Sequence, residues 1–132
     1  MARLTRPGSL LGRGFTLIEL LVVMVIIASL LTIAVPRYFR SLDHSKEAVL
    51  MQDLSVMREA IDQFYGDRGR YPETLVELAT EGYVRKVPVD PMTKSTETWV
   101  VVSKDDDELG GVYDVHSGAK GETRAGVPFA EL

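Results

Sequence analysis

Carboxylates at two places in the chain could do chemistry. Glu19 is the single charged residue in an apolar run from Phe15 to Val35. The second place is a run of acids beside two glycines: Asp105, Asp106, Asp107 and Glu108. An acid inside an apolar segment needs a partner of opposite charge. A cluster of acids supplies the oxygen ligands that Ca²⁺ prefers. The two places therefore raise two different questions, charge pairing and metal binding.

The acidic run has poor spacing for a metal site. Consecutive acids in a strand or turn point in different directions, and the D-x-D-x-D-G spacing of a dedicated calcium loop is absent. The run also lies between two segments rich in Val, Trp and Tyr. We interpret it as the solvated tip of a hairpin and assign no metal site.

The sequence offers no catalytic constellation. The two histidines, His44 and His116, lack a third convergent partner and a glycine-rich nucleophile turn. The absence of cysteine excludes a catalytic thiol, a thiolate metal site and a disulfide. We therefore predict a protein that is not an enzyme and that has no cofactor.

The apolar run predicts a helix that spans a membrane. Its 21 residues reach about 31 Å as a helix, which matches the hydrocarbon thickness of a bilayer. Arg3, Arg6 and Arg13 precede it without any acid, the order of an export signal, but an ordinary secretory signal has an apolar region of only about 7 to 15 residues. The positive-inside tendency keeps this leader in the cytoplasm and places the C-terminal part across the membrane.

The residues around Glu19 resemble the N-terminal signal of the type IV pilin and pseudopilin superfamily. The matching motif is GFTLIE, residues 14–19. In that family a prepilin peptidase cuts after the glycine and N-methylates the new first residue, and the mature chain has glutamate at its fifth position. The resemblance implies cleavage between Gly14 and Phe15, methylation of Phe15, and assembly roles for Phe15, Glu19 and Pro36. Glu19 of one subunit would then neutralise the Phe15 amine of its neighbour.

Later motifs resemble the major pseudopilin of type II secretion, the G-type. They are RGRYP at 68–72, GYV at 82–84, VPVDP at 87–91 and VHSGAKG at 115–121. Met92 and Thr93 stand where the family usually has Trp-Gly, and Lys120 stands where its calcium-binding loop usually has an aspartate. Ca²⁺ needs about six to eight oxygen ligands and lysine contributes none. The family calcium site is therefore degraded at Lys120. We predict no cofactor, and a bound calcium ion is the alternative that the resemblance keeps open.

An amphipathic helix continues beyond the apolar run, to about Gly66. One apolar stripe at spacings of three and four residues marks its buried face: Leu50, Leu54, Met57, Ile61 and Phe64. Met51 and Met57 are interpreted as core residues rather than as a ligand stripe. A short helix is predicted from Pro72 to Gly82, and an antiparallel hairpin from Thr98–Ser103 and Val112–His116. The predicted fold is α+β and pilin-like, with a long N-terminal helix packed on a small antiparallel sheet.

The resemblance also implies a division of the chain and a set of partners. Residues 1–14 are a cleaved leader, residues 15–36 a transmembrane and assembly helix, and residues 37–132 a periplasmic domain. The implied function is a structural subunit of the type II secretion pseudopilus, anchored by a single pass in the bacterial inner membrane. The implied partners are other copies of the chain, minor pseudopilins, the prepilin peptidase and the inner-membrane assembly platform.

Two alternatives remain open. The first is a pilin of a type IV pilus, serving adhesion, motility or DNA uptake; many such pilins close a C-terminal loop with a disulfide, which this chain cannot form. The second is a membrane-anchored module that does not polymerise, which leaves the GFTLIE motif unexplained. The formal charge of -4 becomes more negative when the leader arginines are removed. A nucleic-acid partner is therefore not expected.

Overall fold

The computed structural model describes residues 2–4, 8, 12–104 and 110–132. Its elements are helix α1 (Leu17–Arg68), helix α2 (Leu75–Thr80), strand β1 (Val100–Val102), strand β2 (Asp114–His116) and a 3-10 helix (Phe129–Glu131). By its contacts the chain divides into two units, Met1–Phe39 and Arg40–Leu132. The long apolar N-terminal helix and the two-stranded antiparallel sheet confirm the predicted α+β class.

The first unit contains the apolar beginning of α1. Within this helix an 18-residue window has a mean hydropathy of 2.8, and none of that window is buried. In the part of the chain that the structure describes, α1 is thus a helix long and apolar enough to cross a membrane. Pro36 lies inside α1, where it has no N–H to donate to the preceding turn.

The core of the second unit is built on one face of α1. The buried residues of the helix are Leu50, Leu54, Met57, Ala60, Ile61 and Phe64. They form one cluster with buried residues from the rest of the unit: Leu75, Leu78, Trp99, Val112, Val115 and Phe129. All five positions of the predicted stripe are therefore confirmed as core.

The prediction that Met51 is a core residue is wrong. Its side chain is 58% exposed, whereas Met57 is only 1% exposed. Met51 directly follows Leu50, and one residue along an α-helix turns the side chain by about 100°. Met51 therefore lies on a different face from the stripe that Leu50 begins.

Helix α2 begins three residues later than predicted, at Leu75 rather than at Pro72. Thr74 is its N-cap, and the Thr74 hydroxyl accepts a hydrogen bond from the Glu77 N–H. The Pro72 carbonyl instead accepts a hydrogen bond of 2.7 Å from the Val112 N–H. A long-range contact therefore fixes Pro72 in the connection before the helix.

The sheet consists of β1 and β2 with Val101 opposite Val115. Both strands are shorter than the predicted segments, but their antiparallel pairing agrees with the predicted hairpin. Gly118 follows β2 at a close backbone approach, because an added Cβ would overlap the main-chain oxygen of Thr98. Only glycine fits this position without movement of the chain.

Two polar residues are fully buried in the described part of the second unit, Asp90 and Ser117. The Ser117 hydroxyl donates to Asp90 Oδ2 at 2.6 Å. The Met92 N–H donates to Asp90 Oδ1 at 2.8 Å. Both carboxylate oxygens therefore have partners, as a buried charge requires. The pair ties the connection before β1 to the segment after β2.

Candidate functional site

The candidate site is the N-terminal end of α1, where the predicted cleavage and assembly residues lie. Residues 12–16 precede the helix and are exposed. Nothing lies within 4 Å of the position that a Cβ of Gly14 would take, and Phe15 is 92% exposed. The Gly14–Phe15 peptide bond is thus free of tertiary contacts and lies outside regular helix, which is the geometry that a peptidase needs.

A reciprocal pair of hydrogen bonds joins Thr16 and Glu19. The Thr16 N–H donates to Glu19 Oε2 at 2.9 Å, and the Glu19 N–H donates to the Thr16 hydroxyl at 3.2 Å. This is a capping box, in which two otherwise unpaired N–H groups at a helix start are satisfied by side chains. The box fixes the Glu19 carboxylate beside the first turn of α1. This role of Thr16 was not predicted, although the T-x-x-E spacing of residues 16–19 is the signal for it.

The other Glu19 oxygen, Oε1, has no hydrogen bond within the described residues. It can accept a bond from outside the chain while Oε2 keeps its bond to Thr16. A single carboxylate can in this way cap its own helix and hold a cation of a second molecule.

The hydroxyl groups in the apolar part of α1 are satisfied within the helix. The Ser29 hydroxyl donates to the Val25 carbonyl at 2.8 Å, and the Thr32 hydroxyl donates to the Ala28 carbonyl at 2.8 Å. Such bonds allow Ser and Thr to lie in an apolar surrounding without a partner from another molecule. Glu19 is therefore the side chain in this segment that most needs an external group.

The remaining candidate residues are not part of this site. Asp105, Asp106, Asp107 and Glu108 lie outside the described residues. His44 is exposed on α1. His116 Nδ1 lies 2.8 Å from the Leu132 main-chain oxygen, and its Nε2 lies 3.5 Å from Asp114 Oδ2. Ser117 bonds to Asp90 rather than to this histidine. No nucleophile-base pair is therefore formed around His116 by the residues that the structure describes.

One carboxyl group of the second unit is perturbed by its surroundings. Burial raises the pKa of Asp53 above its ordinary value of 3.8, and the nearby Asp90 charge raises it further. The effect reflects the partial burial of Asp53 itself, and then the nearby Asp90 charge, rather than a reactive site, because Asp53 has no hydrogen-bonded partner of the kind that proton transfer needs among the described residues.

Comparison with known proteins identifies the same N-terminal motif. The family model described as the prokaryotic N-terminal methylation motif matches residues 12–35. The chain is 33% identical over 95 residues to the type II secretion system core protein G of Escherichia coli strain K12, covering 60% of this chain and 66% of that protein. It is 33% identical over 95 residues to the core protein G of Klebsiella michiganensis, covering 60% of this chain and 67% of that protein. The match therefore spans about two thirds of the length of these relatives.

A pilin is also among the similar proteins. The type IV major pilin protein PilA of Myxococcus xanthus is 35% identical over 67 residues, covering 51% of this chain but only 30% of that protein. No solved structure matches the chain.

Proposed function

Because the chain belongs to the family of type II secretion system core protein G, we propose that it is a structural subunit of a pseudopilus, the filament that drives protein export in type II secretion. One observation carries the proposal: Glu19 is the lone carboxylate of the apolar run from Phe15 to Val35 and lies just after an exposed Gly14–Phe15 bond. The role is structural, with no catalytic step.

The first step in this function is processing. A prepilin peptidase cuts the exposed bond after Gly14 and methylates the amine of Phe15. Cleavage removes the leader arginines and creates a new cation within four residues of Glu19. An ionised group costs about 3 kcal/mol at the middle of a membrane helix, and somewhat less near its end. Two such groups of opposite sign lower this cost when they lie next to each other as an ion pair.

The second step is assembly through these charges. Glu19 Oε2 accepts a hydrogen bond from Thr16 of its own chain. The other oxygen, Oε1, binds the Phe15 amine of a neighbouring subunit. Neutralisation of both charges occurs only when subunits lie side by side, because the capping box satisfies N–H groups but does not neutralise the carboxylate. The pairing of the two charges therefore favours the filament over single subunits in the membrane.

The apolar start of α1 supports a location in the inner membrane. The segment of residues 15–36 anchors each subunit by a single pass in the inner membrane, and residues 37–132 lie in the periplasm. The partners are further copies of the chain, minor pseudopilins and the assembly platform of the inner membrane. Pro36 takes part in assembly by removing one helical hydrogen bond near the end of this segment.

Processing is tested by the intact mass and N-terminal sequence of the full chain recovered from membranes, with and without a prepilin peptidase. We expect a chain that begins at N-methylated Phe15 only when the peptidase is present. A chain that still begins at Met1 beside an active peptidase contradicts the proposal and favours a plain membrane anchor.

Assembly is tested with two variants that separate the charge from the cap. Glu19→Gln keeps a side-chain oxygen for Thr16 but removes the charge, whereas Thr16→Val removes the capping hydroxyl and leaves the charge. Each variant is expressed beside wild-type subunits, and its fraction in cross-linked filaments is measured. We expect Glu19→Gln to be processed but almost excluded from filaments, and Thr16→Val to be incorporated at a level closer to wild type. Equal incorporation of Glu19→Gln and wild type removes charge neutralisation from the mechanism.

The match to a type IV pilin over half of the chain supports a second candidate, a pilus subunit. Deletion of the gene separates the two functions. Loss of exoprotein secretion supports the pseudopilus, whereas intact secretion with loss of surface fibres supports the pilus.

A further inference from the structure

Arg58 of α1 joins three separate parts of the second unit. Its Nε donates to Asp114 Oδ1 at 2.8 Å. Its Nη2 donates to the Val115 carbonyl at 2.9 Å and to the Leu132 main-chain oxygen at 2.6 Å. The planar guanidinium has five N–H donors in a fixed geometry, so one side chain can hold several acceptors at once. Arg58 thereby connects the long helix, strand β2 and Leu132.

Two more side chains hold residues 117–132, which we call the C-terminal segment. His116 Nδ1 lies 2.8 Å from the Leu132 oxygen that Arg58 also binds. On α1, Glu47 Oε1 accepts a hydrogen bond of 2.9 Å from the Arg124 N–H. The segment is therefore attached at both its middle and its far end.

The C-terminal segment also closes on itself. The Thr123 N–H donates to the Val127 carbonyl at 2.8 Å, and the Phe129 N–H donates to the Gly121 carbonyl at 3.1 Å. The Phe129 ring is buried in the core and packs beside Gly121. Backbone pairing and one apolar anchor thus fix the shape of the segment between its two attachments.

The donors of this segment do not fit the Ca²⁺ ion that the family resemblance implies. Lys120 is exposed and supplies a positive charge instead of an oxygen. The Gly121 and Val127 carbonyls already accept backbone hydrogen bonds, and the Ser117 hydroxyl is bound to the buried Asp90. Among the residues that the structure describes, no group of three or more acids or histidines could hold a metal ion. Among the described residues, the C-terminal segment thus does not offer the roughly six oxygen ligands that Ca²⁺ takes.

We propose that Arg58, His116 and Glu47 hold the C-terminal segment in place of a metal ion, and that the fold of residues 40–132 does not depend on Ca²⁺. Arg58 is the central positioning residue, because it alone among the three joins α1 to both β2 and Leu132. A nearby cleft of about 550 Å³ is lined by three acids, Asp43, Glu47 and Glu122. In this proposal they form hydrogen bonds or face solvent and do not bind a metal ion.

The calcium part of the proposal is tested on the full chain in detergent micelles. Unfolding temperature and amide hydrogen exchange of residues 117–132 are measured in EGTA and in about 5 mM Ca²⁺, above the dissociation constants of about 0.1 to 1 mM that extracellular calcium modules show. We expect identical unfolding temperatures and exchange rates in the two buffers. A higher unfolding temperature or slower exchange with Ca²⁺ overturns the proposal.

The positioning part is tested with Arg58→Ala and a matched control, Arg68→Ala. Arg68 also lies on α1 but pairs with Glu81 away from the C-terminal segment. We expect Arg58→Ala to speed amide exchange of residues 117–132 by roughly ten- to a hundredfold, because the loss of hydrogen bonds to a charged group shifts an opening equilibrium by about that factor. Arg68→Ala is expected to leave the exchange rates unchanged. If Arg58→Ala does not fold, Arg58→Lys is used, because lysine keeps the positive charge but lacks the planar guanidinium that binds several acceptors at once. Its exchange rates are compared with those of Arg68→Ala in the same way. Equal protection in an arginine 58 variant and in Arg68→Ala refutes the role of Arg58.

Discussion

Replacement of Asp90 by alanine tests whether a buried polar pair stabilises the second unit. Asp90 and Ser117 are both 0% exposed, and 27 residues of chain separate them. In Asp90→Ala the Ser117 hydroxyl and the Met92 N–H lose the acceptors that they have at 2.6 and 2.8 Å. Buried donors without acceptors are costly because water cannot replace the lost partner.

The size of the effect follows from these two donors, because the third, the Thr93 N–H, lies at 3.4 Å from Asp90 Oδ1 and forms a weak bond. Each buried group left without a partner costs about 1 to 3 kcal/mol, so Asp90→Ala is expected to lower the free energy of unfolding by about 2 to 6 kcal/mol. Ser117→Ala removes one hydroxyl donor and is expected to cost about 1 to 3 kcal/mol. The two changes share one hydrogen bond, so the double variant is expected to cost less than the sum of the single variants.

The assay is urea unfolding of the full chain in a non-ionic detergent, followed by tryptophan fluorescence. Trp99 is the single tryptophan and is 7% exposed in the core. Its indole N–H donates to the Pro88 carbonyl at 2.8 Å, two residues before Asp90. The emission therefore reports on the part of the core that holds the pair. A loss below about 1 kcal/mol for Asp90→Ala, or costs that simply add in the double variant, would refute the reasoning.

Three further predictions concern the same unit. Asp53→Asn is expected to stabilise the fold at pH 7, because burial and the Asp90 charge raise the pKa of Asp53 in the folded state. A carboxyl group with a raised pKa makes the fold less stable as pH rises from the ordinary value of 3.8 through the folded value. The difference in unfolding free energy between Asp53→Asn and wild type should therefore vanish when unfolding is measured below pH 3.8. Gly118→Ala is expected to prevent stable folding at 37 °C, since its Cβ would overlap backbone that cannot move as a flexible side chain does; a wild-type circular dichroism melt would contradict this. Met57→Ala is expected to cost about 2 to 5 kcal/mol as a cavity in the core, whereas Met51→Ala, on the exposed face, should stay within about 0.5 kcal/mol of wild type in the same unfolding assay.

Much of α1 could be predicted because its signals are local. An apolar run, followed by a stripe at spacings of three and four residues, predicts one helix whose actual bounds, Leu17–Arg68, differ from the predicted ones by two residues at each end. The prediction for Met51 is wrong because an apolar side chain alone does not place a residue in the core; the helical rotation from Leu50 puts Met51 on another face. The capping role of Thr16 is also a local signal, because it depends only on the spacing from Thr16 to Glu19.

The contacts of the second unit could not be predicted in the same way because they depend on residues far apart in sequence. Arg58 binds groups 56, 57 and 74 residues away. Pro72 fits the pattern of a helix start, yet its carbonyl is bound to Val112 and the helix begins later. Neither composition nor periodicity carries information about such pairs, since many arginines and prolines would match equally well. The roles of Phe15, Glu19 and Pro36 in assembly stay predictions.

The unpaired edge of β1 affects how subunits behave in the membrane before they assemble. Among the described residues β1 pairs with β2 alone, and its three valines are each at least 37% exposed. An uncharged, β-branched edge presents unpaired N–H and C=O groups on which a strand of another chain can pair. Lys104 and the acidic run come after it, beyond Ser103, at a flanking position where natural proteins place charged gatekeepers. A membrane confines anchored subunits to two dimensions and crowds them, so we expect these charges to keep a waiting pool of subunits from pairing through their strands.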